Sequence, residues 1–185
     1  EHFPPDEAHV YQKTRAATIV SPAGRRYRIV REETQAFIID RVSYVNSLAQ
    51  RAMEAGADYD LGRRVTNIQV SDSGATVLTT SDAGQQRHQT KMVIIASGFG
   101  SPLLNMVGLS NGEYPDYMVG SQAEVLVDGL EDTEVHLGDE VAPGSFGWLV
   151  PLSNSRALIG MVSRNNFNGH IDSFLSALQR NGKIR

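Results

Sequence analysis

The sequence contains no cysteine, which excludes a disulfide framework, a thiolate metal site and a cysteine nucleophile. Long apolar runs are missing too. No window approaches the roughly 18 consecutive apolar residues of a spanning helix, and Glu1-His2-Phe3-Pro4-Pro5 lacks the charged-then-hydrophobic pattern of an export signal. With no cysteine and no such segment, the cytoplasm is the expected compartment. A basic stripe is also lacking: 17 Lys and Arg stand against 21 Asp and Glu, a net charge of -4, and the cations are dispersed. Nucleic acid is therefore not an expected partner. The chain starts without methionine and stops just after an amphipathic segment, so it reads as an internal piece of a longer protein.

Common catalytic spacings are absent as well. The histidines at 2, 9, 88, 136 and 170 form neither H-x-x-x-H nor H-E-x-x-H, so no metal site is expected and they read as surface or loop residues. No serine sits in a G-x-S-x-G elbow, which leaves a hydrolase unsupported. The acidic cluster Glu131-Asp132-Thr133-Glu134, beside Asp128-Gly129, reads as a solvated turn.

What is present fits an ordinary globular chain. Its 185 residues, 41% hydrophobic, can build one sizeable domain or two small lobes sharing a core. Val10 to Ile39 is β-like, and Ser21-Pro22-Ala23-Gly24 between Arg15–Val20 and Tyr27–Val30 predicts a hairpin or a tight connection. Val45, Leu48, Ala49, Ala52 and Met53 then recur at helical spacing, with Asp40 as cap and Gly56 as stop. A meander follows, with strands expected at 57–61 and 65–70 and turns at Ser71-Asp72-Ser73-Gly74 and Ser81-Asp82-Ala83-Gly84 on either side of 75–80. Met92-Val93-Ile94-Ile95-Ala96 is apolar throughout, as a strand covered on both faces would be, and opens into the turn Ser97-Gly98-Phe99-Gly100-Ser101. Strands at 123–127, 133–137, 147–152 and 157–162 predict an antiparallel sheet, and a helix is expected over 171–178. No internal repeat or low-complexity segment stands out.

Three segments, in order, resemble flavoproteins of the group that includes p-hydroxybenzoate hydroxylase and the geranylgeranyl reductases. Asp40-Arg41-Val42-Ser43-Tyr44, continued by Leu48-Ala49 and Glu54-Ala55-Gly56-Ala57, is similar to the family's D-R-x-x-F…E-A-G-A helix. Lys91 to Ser101 resembles its v-I-x-A-D-G-x-x-S segment, with Ser97 where the hydroxylases carry aspartate. Pro143-Gly144-Ser145-Phe146-Gly147-Trp148-Leu149-Val150-Pro151 resembles the geranylgeranyl reductases' P-x-x-Y-x-W-x-F-P, and Ala157-Leu158-Ile159-Gly160 continues it. Nothing before Arg15 matches the family's G-x-G-x-x-G phosphate loop, and Gly138-Asp139 reads as a turn rather than the later G-D-A segment.

The resemblance implies an α/β (α+β) chain: part of an FAD-binding doubly wound lobe plus an antiparallel β-sheet substrate lobe. The expected division is a β-rich segment at 1–35 belonging to the substrate lobe, a partial FAD lobe with a meander at 36–110, and a substrate-domain sheet with a terminal helix at 111–185. FAD is the implied cofactor, with NAD(P)H or another reductant behind it. Arg41 and the Ala96-Ser97-Gly98 turn are the implied cofactor contacts, and Phe146, Gly147 and Trp148 the implied substrate contacts; no catalytic residue is assigned. The implied reaction is reduction of carbon–carbon double bonds in an isoprenoid or other small apolar, lipid-like substrate, with peripheral membrane contact. A monooxygenase or halogenase-like enzyme is the alternative within flavin chemistry. Outside it stands a β-rich ligand-binding or interaction module without catalysis.

Overall fold

The computed structural model describes residues 3–109, 117–164 and 170–185. The chain divides into two compact units, one of Glu1–Arg51 with Asp116–Arg185 and one of Ala52–Pro115.

In the first unit, β1 (Val10–Thr14) and β4 (Ala36–Ile39) form an antiparallel ribbon. A second, larger sheet combines β2 (Ala16–Val20), β3 (Arg26–Val30), β8 (Val119–Leu126), β9 (Thr133–Leu137), β10 (Phe146–Pro151) and β11 (Arg156–Ser163). Its spatial order is β3-β2-β9-β10-β11-β8. Every pairing is antiparallel except β2 with β9, so the hairpin near the N-terminus and the strands after Tyr117 share one sheet. The hairpin forms as expected: Gly24 takes φ 75°, and its N–H bonds the Ser21 carbonyl at 2.9 Å.

Helix α1 (Arg41–Glu54) begins where Asp40 caps it. One carboxylate oxygen of Asp40 accepts from the N–H groups of Val42 and Ser43, and the other from the Ser43 hydroxyl. These are the amides a helix start leaves without partners. Gly56, at φ 95°, ends the run in the left-handed conformation that a side chain disfavours.

The second unit holds a three-stranded meander, β5 (Arg64–Ser71), β6 (Gly74–Ser81) and β7 (Gly84–Thr90), and a short helix α2 (Leu103–Met106). Two sequence expectations fail here. The strand at 57–61 is absent, and the segment ends in a turn at Gly62 with Leu61 83% exposed. The supposedly buried strand at 92–96 is also not a strand. Met92 and Ile94 stand in solvent at 75% and 83% exposure, while Val93 and Ile95 turn into a cleft with Ile68, Val70 and Leu104. A strand exists only through its ladder, and none of the described residues pairs with this one. Conversely, β7 (GQQRHQT) was invisible because it is polar and exposed throughout. Its pairing to β6 gives it its form.

The main core lies on one face of the six-stranded sheet. Helix α3 (His170–Arg180) places Phe174 and Leu178 against Leu149, Ala157, Ile159, Val127 and Ile184. Phe174 reaches the sheet because Gly147 has no side chain: a Cβ there would lie 2.8 Å from the Phe174 ring and 2.8 Å from Val141.

Gly147→Ala is therefore expected to destabilise the chain by about 1–3 kcal/mol through overpacking, and Leu149→Ala by about 2–5 kcal/mol through the cavity it leaves. Urea unfolding followed by circular dichroism measures both. An unchanged midpoint for Gly147→Ala would mean that Phe174 does not rest on the strand.

Candidate substrate face and cofactor residues

The alternation of β10 separates two faces. Gly147, Leu149 and Pro151 are buried beneath α3, whereas Phe146 and Trp148 belong to the opposite face, 40% exposed and half-buried respectively. Gly147 is thus a packing position under Phe174 and does not share the Trp148 face. Trp148 stands opposite Val135 on one side and Gly160 on the other, and Phe146 stands opposite Leu137 and Val162. The two rings are 6.1 Å apart and tilted by 58°.

Further along this face, β9 inverts the usual polarity of a half-covered sheet, while β3 is exposed at every position. In β9, Glu134 and His136 are buried on the covered side, while Val135 and Leu137 share the Trp148 face. In β3, the side chains of Arg26 and Arg28 reach Glu134 and Asp132 on β9 and just before it. Tyr27 and Ile29 lie in solvent at 54% and 45% exposure. The consequence is an apolar and aromatic surface left open while Glu134 and His136 are buried on the other side of the sheet.

The buried Glu134 carboxylate is fully matched. Glu134, its side chain 3% exposed, accepts from Arg26 at 2.5 and 3.3 Å, from Lys183 at 3.0 Å and bonds His136 Nε2 at 3.1 Å. The His136 ring meets Phe174 edge-on at 5.0 Å. Burial alone would raise the Glu134 pKa, but the hydrogen bonds from His136, Arg26 and Lys183 outweigh it and hold the carboxyl well below the usual carboxylate range. Asp128, Asp132 and Lys183 line the cleft of about 540 Å³ beside it. The acidic cluster is thus not merely a solvated turn, and His136 is not a surface histidine. The available signal was the Thr-Glu-Val-His-Leu alternation, which puts Glu134 and His136 on one face of the strand.

At the far end of the open face, Arg156 pairs with Glu124. Asp40 is held below the usual carboxylate range by the Ser43 N–H and hydroxyl, with the Tyr11 hydroxyl and Val42 N–H adding to them. Of the expected cofactor contacts, Arg41 lies in the first unit, at the exposed first position of α1, and makes no ion pair among the described residues. Ala96, Ser97 and Gly98 lie in the second unit and are exposed, Gly98 with φ 78°. No helix among the described residues is long and apolar enough to cross a membrane.

A mixed α/β chain with this sheet and these motifs defines a flavoprotein scaffold, and the family comparison agrees: the model for FAD dependent oxidoreductases matches residues 5–180. The chain belongs to that family. Among curated relatives it is similar to digeranylgeranylglycerophospholipid reductase 1 of Methanosphaera stadtmanae, 28% identical over 88% of this chain and 41% of the relative. It is likewise similar to digeranylgeranylglycerophospholipid reductase 2 of Methanothermobacter thermautotrophicus, 32% identical over 82% of this chain and 40% of the relative. The chain thus spans about two-fifths of their length. In fold it resembles a geranylgeranyl bacteriochlorophyll reductase-like protein from Thermoplasma acidophilum, with TM-score 0.77 and 19% identity over 96% of this chain and 47% of that one. A flavin-dependent brominase shares the fold with TM-score 0.70 and 16% identity, covering 93% of this chain and 46% of its own.

The depressed Glu134 carboxyl gives a pH signature. Its contribution to stability is whole above the unfolded carboxylate pKa of about 4.3 and is lost progressively as pH falls below that value. Glu134→Gln is expected to cost about 1–3 kcal/mol at neutral pH and to flatten the loss of stability between about pH 4 and pH 2. Urea midpoints across that range test this, and parallel curves for the two proteins would remove Glu134 from the acid response.

Proposed function

We propose that this chain supplies the substrate-binding sheet of a flavin-dependent reductase that saturates carbon–carbon double bonds of an isoprenoid or other lipid-like substrate. The observation carrying this reading is the polarity of the sheet: Tyr27, Ile29, Leu137 and Phe146, each at least 40% exposed, lie on the same face as half-buried Trp148, while Glu134 is buried on the other. Keeping charge inside and apolar rings outside is costly unless the outer face meets an apolar partner. The reductase names of the relatives support an isoprenoid as that partner.

Phe146 and Trp148 are the residues assigned to hold the substrate, excluding water from the bond to be reduced. Arg41 is assigned to the cofactor's pyrophosphate: an exposed guanidinium with no ion pair among the described residues fits that role. The exposed Ala96-Ser97-Gly98 turn, where a Cβ on Gly98 would meet nothing within 4 Å, leaves room for close approach to the backbone. Each, taken by itself, fits a peripheral contact of a dinucleotide, whose main phosphate cradle is a glycine loop at a helix start. When bound, reduced flavin supplies a hydride to one carbon of the double bond; the other takes a proton, and NAD(P)H or another reductant restores the flavin. The proposed setting is the cytoplasm, in peripheral contact with the membrane that holds the lipid.

The 185-residue chain alone is expected to bind FAD weakly or not at all, because one exposed cation and one turn do not offset the lost freedom of so large a ligand. Titration of FAD followed by flavin fluorescence measures this, and a tight stoichiometric complex would relocate the cofactor site. In the complete reading frame, anaerobically reduced protein is expected to be reoxidised by a prenyl lipid. Reoxidation by oxygen alone, with a hydroxylated product, would instead establish the monooxygenase reading.

A further inference from the structure

Trp148 owes its position to the absence of a side chain on the neighbouring strand. Gly160 is the cross-strand partner of Trp148, and a Cβ at Gly160 would stand 2.5 Å from Trp148 Cε2 and closer still to Cζ2. The six-membered ring of the indole therefore lies over the Gly160 backbone, in the place a side chain would fill. The same Cβ would lie 2.9 Å from the Ser121 carbonyl oxygen, so the slot continues towards β8, the strand on the far side of β11. The backbone angle of Gly160 is not among the left-handed ones, so turn geometry does not explain a glycine here. Glycine in a strand interior otherwise weakens it; what the strand gains is room for the ring.

We propose that Gly160 is a positioning residue: by leaving the space beneath Trp148 empty it keeps the indole down against the sheet, so that the other ring face forms a platform for one unit of an isoprenoid chain. The substrate part of this inference rests on the reading of the open face given above. A flat indole offers a broad, rigid contact at low entropic cost. Raised by even one methyl group beneath it, the ring would occupy the space of the chain it should carry. Discrimination on the scale of one methyl or methylene group is about tenfold or more in a hydrophobic site.

The chain's only tryptophan is Trp148, so its fluorescence reports this position alone. Gly160→Ala is expected to shift Trp148 emission to the red, to increase its quenching by acrylamide, and to lower affinity for geranylgeraniol in detergent micelles by about tenfold. Should Gly160→Ala fold poorly, a double-mutant cycle with Trp148→Leu keeps the question open to measurement. Thermal unfolding should show that Gly160→Ala costs less stability in the Trp148→Leu background than alone. Equal cost in both backgrounds would assign the glycine to the Ser121 carbonyl and overturn the positioning role, as would unchanged Trp148 emission in Gly160→Ala. If the wild-type emission ignores geranylgeraniol while Gly160→Ala still shifts it, the positioning role stands and the isoprenoid reading of the face falls. If the wild type responds and Gly160→Ala binds equally well, the platform is overturned.

Discussion

The register of β10 between β9 and β11 is the constraint from which the rest follows. It puts Gly147 and Leu149 under Phe174 and α3, and in the same stroke puts Phe146 and Trp148 on the other side. A shift by one residue would exchange the two sets. The aromatic pair would meet the helix, and the glycine that admits Phe174 would face outward. Two glycines make the arrangement feasible, Gly147 by admitting Phe174 on one face and Gly160 by admitting Trp148 on the other.

The charged interior beside this core is the counterpart of the apolar exterior. A buried carboxylate is tolerable only when its charge and lone pairs are matched, and Glu134 meets both conditions through Arg26, Lys183 and His136. Lys183 and Arg26 lie far apart in sequence, so the network ties β3 and the segment after α3 to one strand. Their own partly exposed heads keep the desolvation cost mainly on the carboxylate. With polar needs met internally, the opposite face can be built from apolar groups suited to a lipid-like chain.

Helix α1, its Asp40 cap and Gly56 stop, the hairpin at Gly24, four strands of the large sheet and α3 were legible because each is written in local periodicity or turn chemistry. The order of the three motifs also made the flavoprotein family legible. The segment at 92–96 and strand β7 were not. An apolar run becomes a strand only when another strand lies beside it, and a polar run becomes one for the same reason. Both outcomes depend on neighbours that the local sequence does not contain.

By itself, then, the sequence determined most of the local elements, the family and the two aromatic residues Phe146 and Trp148 of the candidate face. Tertiary structure alone decided which side of the sheet each residue occupies. It turned Glu134 and His136 inward, left Tyr27 and Leu137 outside, sent Gly147 to the helix and set Trp148 over Gly160. The physical reason is that period-two alternation names two faces without saying which one will be covered. That choice falls to long-range packing, here the docking of α3 and the pairing of Glu134 with cations from distant segments.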